Sequence, residues 1–124
     1  MEINEIVINK LISLLSKVRD KKSDVCLFIV NKVIDINRWD LVFGGKALEG
    51  EENLKLILNL IKETFSKEEV ILFSRLILFD STKDFVKGIN NAFNVESNYI
   101  KITDTTINNI LIKEAYLFYS KSLK

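Results

Sequence analysis

Apolar residues along this chain recur first at helical and later at strand spacing, and the alternation of the two periods outlines a fold. Ile8, Leu11, Ile12, Leu15 and Val18 fall on one helical face, with Val7 and Leu14 beside it and Asn4, Lys10, Ser13, Lys17 and Arg19 away from it. The spacing predicts a helix of about five turns with a broad apolar stripe. It should end near Asp20-Lys21-Lys22, where the period stops and lysines suit the negative end of the helix dipole.

The run Val25 to Val30 is apolar throughout. It is too short for periodicity to separate a buried strand from a helix through Ile34 capped by Ser23 or Asp24, and its β-branched and aromatic content favours the strand. Trp39-Asp40-Leu41-Val42-Phe43 closes on Gly44-Gly45 and predicts a strand. From Glu51, Leu54, Ile57, Leu58, Ile61 and Phe65 share one face of an amphipathic helix. Ser66-Lys67-Glu68-Glu69 then carries a capping-box pattern, which predicts a short helical turn through Leu72.

Arg75-Leu76-Ile77-Leu78-Phe79-Asp80 reads as a strand that stops on an acid. Ser81-Thr82-Lys83-Asp84 offers a second capping box, and Phe85, Ile89, Ala92 and Phe93 form the inner face of a helix that stops near Asn94, weakened modestly by Gly88. Beyond it Tyr99-Ile100-Lys101-Ile102 alternates, Thr106-Ile107 and Ile110-Leu111-Ile112 flank Asn108-Asn109, and Ala115 to Tyr119 is again strand-like. Asparagine pairs tolerate the left-handed geometry of tight turns, so a hairpin is expected there.

Strand at Trp39, helix at Leu54, strand at Leu76 and helix at Phe85 form an alternating unit, which a right-handed crossover would make a parallel pair. The fold expected is a small α/β domain spanning residues 1–124: a central mixed sheet with one parallel βαβ unit, a C-terminal antiparallel hairpin and about three packing helices. A ferredoxin-like α+β arrangement is the alternative, and it would require the Cys26 run to be a strand. Nothing marks a repeat, a linker or a domain boundary, and proline is absent.

Composition narrows the chemistry. With 124 residues, 48% of them apolar, the chain can bury a core without staples. Lys and Arg number 18 against 17 Asp and Glu, so no overall field gathers nucleic acid or anionic membrane, and no nucleic-acid partner is expected. Lys17, Arg19, Lys21 and Lys22 read as a solvated helix end interrupted by Asp20 and Asp24, not as an anion site. The absence of histidine removes the usual general base near neutral pH and the commonest transition-metal ligand, so no catalytic group, metal or cofactor is expected. Cys26, alone and inside an apolar run, reads as an inert buried thiol. The acidic start Met1-Glu2-Ile3-Asn4-Glu5 and the lack of a spanning apolar run point to a cytoplasmic protein and away from the membrane.

Two candidate surfaces emerge. If the central strands are parallel, their carboxyl ends bring Gly44 and Gly45 to the same edge as Asp80, Ser81 and Thr82, where a small ligand or nucleotide could bind. Against this stands the simpler reading that Asp80, Ser81 and Thr82 cap a helix while the glycines turn the chain. The run Gly-Gly-Lys-Ala at 44 to 47 lacks the hydroxyl residue of a phosphate loop. Trp39 reads as core, since strand alternation sends it and Asp40 to opposite faces. The second surface is the aromatic C-terminal strand, with Tyr116 and Phe118 on one face and Leu117 and Tyr119 on the other. At a sheet edge it would dock a protein partner or a second copy. The function expected is a non-catalytic, cytoplasmic protein-interaction or regulatory module acting through a sheet edge. The alternative is a small-ligand or nucleotide-binding domain, or an enzyme, using the carboxyl ends of the central strands.

Overall fold

The computed structural model describes residues 2–123. Helix α1 (Glu5–Lys21) leads into strands β1 (Val25–Lys32) and β2 (Trp39–Gly45). Helices α2 (Glu51–Thr64) and α3 (Lys67–Val70) precede β3 (Phe73–Asp80), then come α4 (Asp84–Ala92), β4 (Ile100–Ile107) and β5 (Ile110–Ser120). The five strands form one mixed sheet in the order β3-β2-β1-β5-β4, in which only β2 and β3 run parallel. This is a small single-domain α/β arrangement with the expected parallel unit and C-terminal hairpin. The short turn at Lys67–Val70 makes a fourth helix.

The Cys26 run is a strand, but the ferredoxin-like alternative fails, because β1 and β2 follow each other as a hairpin with no helix between them. At the C-terminal hairpin Ile107 pairs with Ile110, and Asn108 and Asn109 take φ of 50° and 65°, the left-handed pair that a two-residue turn of this kind needs.

Helices α1 and α3 begin where a side chain satisfies their first amides. Asn4 accepts from Val7 N–H at 2.9 Å to start α1. Ser66 and Glu69 form the full reciprocal capping box at α3, and the Glu69 carboxylate also holds Lys10 of α1 at 2.6 Å. The second box does not form. Helix α4 begins at Asp84 behind Lys83, with no side-chain cap, while Asp80 accepts from Thr82 and from the Ala47 amide of a neighbouring loop.

Helices α1 and α2 cover one face of the sheet, meeting Phe28, Val30, Trp39, Leu41, Phe43 and Phe118. Helix α4 covers the other, packing Val86 and Ile89 on Leu27, Ile29, Val42, Ile102 and Leu117. Trp39 is core, as its alternation implies. Two bulges depart from simple alternation. One in β1 puts Cys26 and Leu27 in the same core, and one in β5 puts Phe118 and Tyr119 together on the α1 side, so Tyr119 does not share a face with Leu117. Among the described residues no helix is long and apolar enough to cross a membrane.

Candidate functional site

The parallel register aligns Gly44 with Phe79 and Gly45 with Asp80, and Ser81 N–H donates to Gly45 O at 3.0 Å. Gly44, Gly45, Asp80, Ser81 and Thr82 therefore meet at the carboxyl ends of β2 and β3. Their geometry is that of a clasp between two loops. Asp80 Oδ1 accepts from Ala47 N–H at 2.9 Å, and Oδ2 accepts from the Thr82 hydroxyl at 2.6 Å and from Thr82 N–H at 3.1 Å.

The glycines are occupied by packing as well. A Cβ on Gly44 would lie 2.9 Å from a methyl of Val86, and one on Gly45 would lie 2.9 Å from the backbone oxygen of Asp24. The hollows beside this edge are shallow: about 220 Å³ next to Lys21, Lys22 and Lys46, and about 380 Å³ next to Thr82, Lys87 and Asn90. Among the described residues no group of three His, Cys, Asp or Glu side chains could hold a metal ion. Burial pushes the Cys26 thiol up, away from the thiolate.

The Thr82 hydroxyl, then the Thr82 and Ala47 amides, hold the Asp80 carboxyl below its usual range, and the Lys10 ammonium does the same for Glu69. A carboxyl depressed in the folded state stabilises it above the unfolded pKa and loses that contribution as pH falls through the folded value. The denaturant midpoint is therefore expected to fall as pH drops below about 4, the ordinary carboxylate range. Asp80→Asn and Glu69→Gln should each flatten that fall.

Tyr116 and Phe118 sit elsewhere than at an edge. Strand β5 lies inside the sheet between β1 and β4, and Phe118 is buried against Phe28 at 5.4 Å between ring centroids. Tyr116 is half-buried between Trp39 at 5.4 Å and Tyr99 at 5.7 Å, with Lys101 Nζ 5.5 Å from its ring. They floor the part of the sheet that α1 leaves uncovered. A cleft of about 500 Å³ opens there between α1 and residues 96–98, lined by Ile12, Leu15, Arg19, Glu96, Asn98 and Phe118. At the basic end of α1 Lys17 donates to Thr64 Oγ1 at 2.9 Å and Arg19 lies 4.3 Å from the Tyr119 ring.

The sheet edges are β3 and β4. Strand β4 is blunted: it carries Lys101, Thr103, Asp104, Thr105 and Thr106, and Asp104 takes a left-handed φ of 44° that interrupts its regular edge. Strand β3 has no such protection between its ends. Leu76, Ile77, Leu78 and Phe79 are each partly exposed, and the register from Arg75 to Asp80 is unbroken.

Because Ser81 turns its N–H toward β2, the odd-numbered residues of this stretch face β2, and Leu76 and Leu78 turn their N–H and C=O outward. A shallow apolar hollow of about 200 Å³, lined by Leu41, Leu58, Ile61, Val70, Phe73 and Leu76, runs beside the strand on the α2 side. At its amino end Arg75 pairs with the buried Asp40 at 2.6 Å. Sequence reasoning missed this edge. The run Leu76 to Phe79 without lysine or proline was the available signal, but edge status depends on a strand order that one-dimensional patterns do not carry. No family model, no curated protein and no solved structure matches this chain.

Proposed function

We propose that this domain is a non-catalytic protein-interaction module whose working surface is the outer edge of β3, which accepts an added strand. The observation that carries the reading is the combination of outward-turned backbone groups at Leu76 and Leu78 with four partly exposed apolar side chains, on an edge that carries no charge between Arg75 and Asp80. Strand addition uses such an edge: main-chain hydrogen bonds give affinity, and alternate side chains give specificity. Left bare, the same edge would invite aggregation, so a cognate strand is its natural cover. The engaged carboxylate of Asp80, the closed glycine pair and the raised thiol of Cys26 support a role without catalysis. An unpaired buried thiol also suits a reducing compartment such as the cytoplasm.

The test compares two variants of the full chain in capture from native host lysate. Leu78→Pro removes an outward N–H while sparing the β2–β3 ladder, which edge strands tolerate. Tyr116→Arg instead charges the aromatic face. Loss of the captured protein with Leu78→Pro and retention with Tyr116→Arg is the expected result. The reverse pattern, or capture indifferent to both, would overturn the reading.

A further inference from the structure

We infer that the outer half of the β4–β5 hairpin, Thr105 to Ile112, is a strap that opens from α4 as a unit, about a hinge at Asp104 and Lys113, while the sheet beneath stays closed. Strand β1 pairs with β5 only from Ala115 to Ser120, so the strap is a two-stranded ribbon with no third strand beside it. Its ladder to the inner half of the hairpin is interrupted. Thr103 pairs with Glu114 and Thr105 with Ile112, but Asp104 and Lys113 drop out of the ladder between them, and Asp104 takes a left-handed φ of 44° that L side chains disfavour.

The ribbon also rolls over at that point. Ile102 and Ala115 face the α4 side, and strict alternation from them would turn Ile107 and Ile112 to the opposite face. Instead Ile112 is fully buried in the core that holds Val86 and Ile89 of α4, with Ile107 packed against that core.

A notch in α4 seats the strap. A Cβ on Gly88 would lie 2.5 Å from Asn108 Nδ2 and 2.8 Å from a methyl of Ile107, so an added methyl would push the turn away. Asn108 Nδ2 donates to the Asp84 carbonyl at 2.9 Å, an exposed bond and the strap's one side-chain hydrogen bond to another element among the described residues. The strap is thus held by one fully buried apolar side chain, one partly buried and one exposed hydrogen bond, whereas β1 has a ladder on each side. The weaker set opens first. Opening bares Ile107, Ile112 and the Gly88 notch and leaves the five-stranded sheet in place.

Thiol labelling of the full chain carrying Ile112→Cys, read site by site by mass spectrometry, tests this with Cys26 as internal reference, since Cys26 is buried in the same core but lies on the central strand. Position 112 should be labelled faster than Cys26 by about tenfold or more, because it needs only the local opening. Asn108→Gly, which keeps the left-handed turn and removes the bond to Asp84, should speed labelling at position 112 further and leave Cys26 unchanged. Equal rates at the two thiols, or Asn108→Gly moving both together, would overturn the strap. Amide exchange of the wild-type chain reads the same opening without a core substitution. A detached two-stranded ribbon is marginal in water, so the amides of Thr105, Ile107, Ile110 and Ile112 should share one protection value, below that of the β1 amides. Protection that falls residue by residue toward the turn, or that equals that of β1, would contradict opening as a unit.

Discussion

Phe28→Ala is expected to cost about 3–5 kcal/mol, the range for truncating a large buried aromatic whose surroundings cannot collapse. Phe28 lies on the central strand, fully buried, stacked on Phe43 with ring centroids 4.2 Å apart and planes 3° from parallel, and against Phe118 at 5.4 Å. These rings come from three adjacent strands, so no single element can shift to fill the hole. For a domain of this size such a loss is a large part of the total stability, and Tm should drop by roughly 10–20 °C. Phe79→Ala, at the partly exposed edge strand, is the control and should cost clearly less. Thermal melts followed by circular dichroism read both, and equal losses would contradict the placement of Phe28 at the centre of the core.

The glycine pair should separate in a second large effect. At Gly44 an added methyl meets both methyls of Val86, the nearest at 2.9 Å, and Leu27 Cβ at 3.2 Å, contacts that a small shift of α4 away from the sheet relieves in part. At Gly45 it meets backbone, the Asp24 oxygen at 2.9 Å and Val25 Cα at 3.1 Å, where β1 begins and its bulge leaves no slack. Overpacking costs about 1–3 kcal/mol when neighbours can move and more when they cannot. Gly45→Ala should therefore destabilise more than Gly44→Ala in denaturant titration. If Gly45→Ala proved harmless, the close approach of β1 would not make Gly45 a packing position.

Much of this architecture is written in local pattern. The α1 stripe, the Ser66 capping box and the Asn108-Asn109 turn all follow from periodicity and turn chemistry, which act over a few residues. The α1 face is rotated slightly from its expected centre: Val7 and Leu14 are fully buried while Ile8 and Ile12 are partly covered, because α2 packs beside α1 as well as the sheet below it. What local pattern could not carry was strand order. Ala115 to Tyr119 looks like an edge because it comes last, yet β4 folds back outside it, and the true apolar edge is the strand that the crossover delivers to the far side of β2. Bulges were equally hidden, since the extra residue at Cys26 or Phe118 is defined only by the partner strand. Asp80 misled for another reason: an acid before Ser-Thr suits a helix cap, and only the tertiary approach of Ala47 turns it into a clasp.

The central claim is that the outer edge of β3 receives a strand, and residue-resolved amide hydrogen exchange tests it most directly. Ile77 and Phe79, turned toward β2, should be protected in every state. Leu76 and Leu78 should exchange quickly in the unbound protein and become protected in the partner-bound form. Leu76 and Leu78 amides that still exchange freely when the partner is bound would contradict the account.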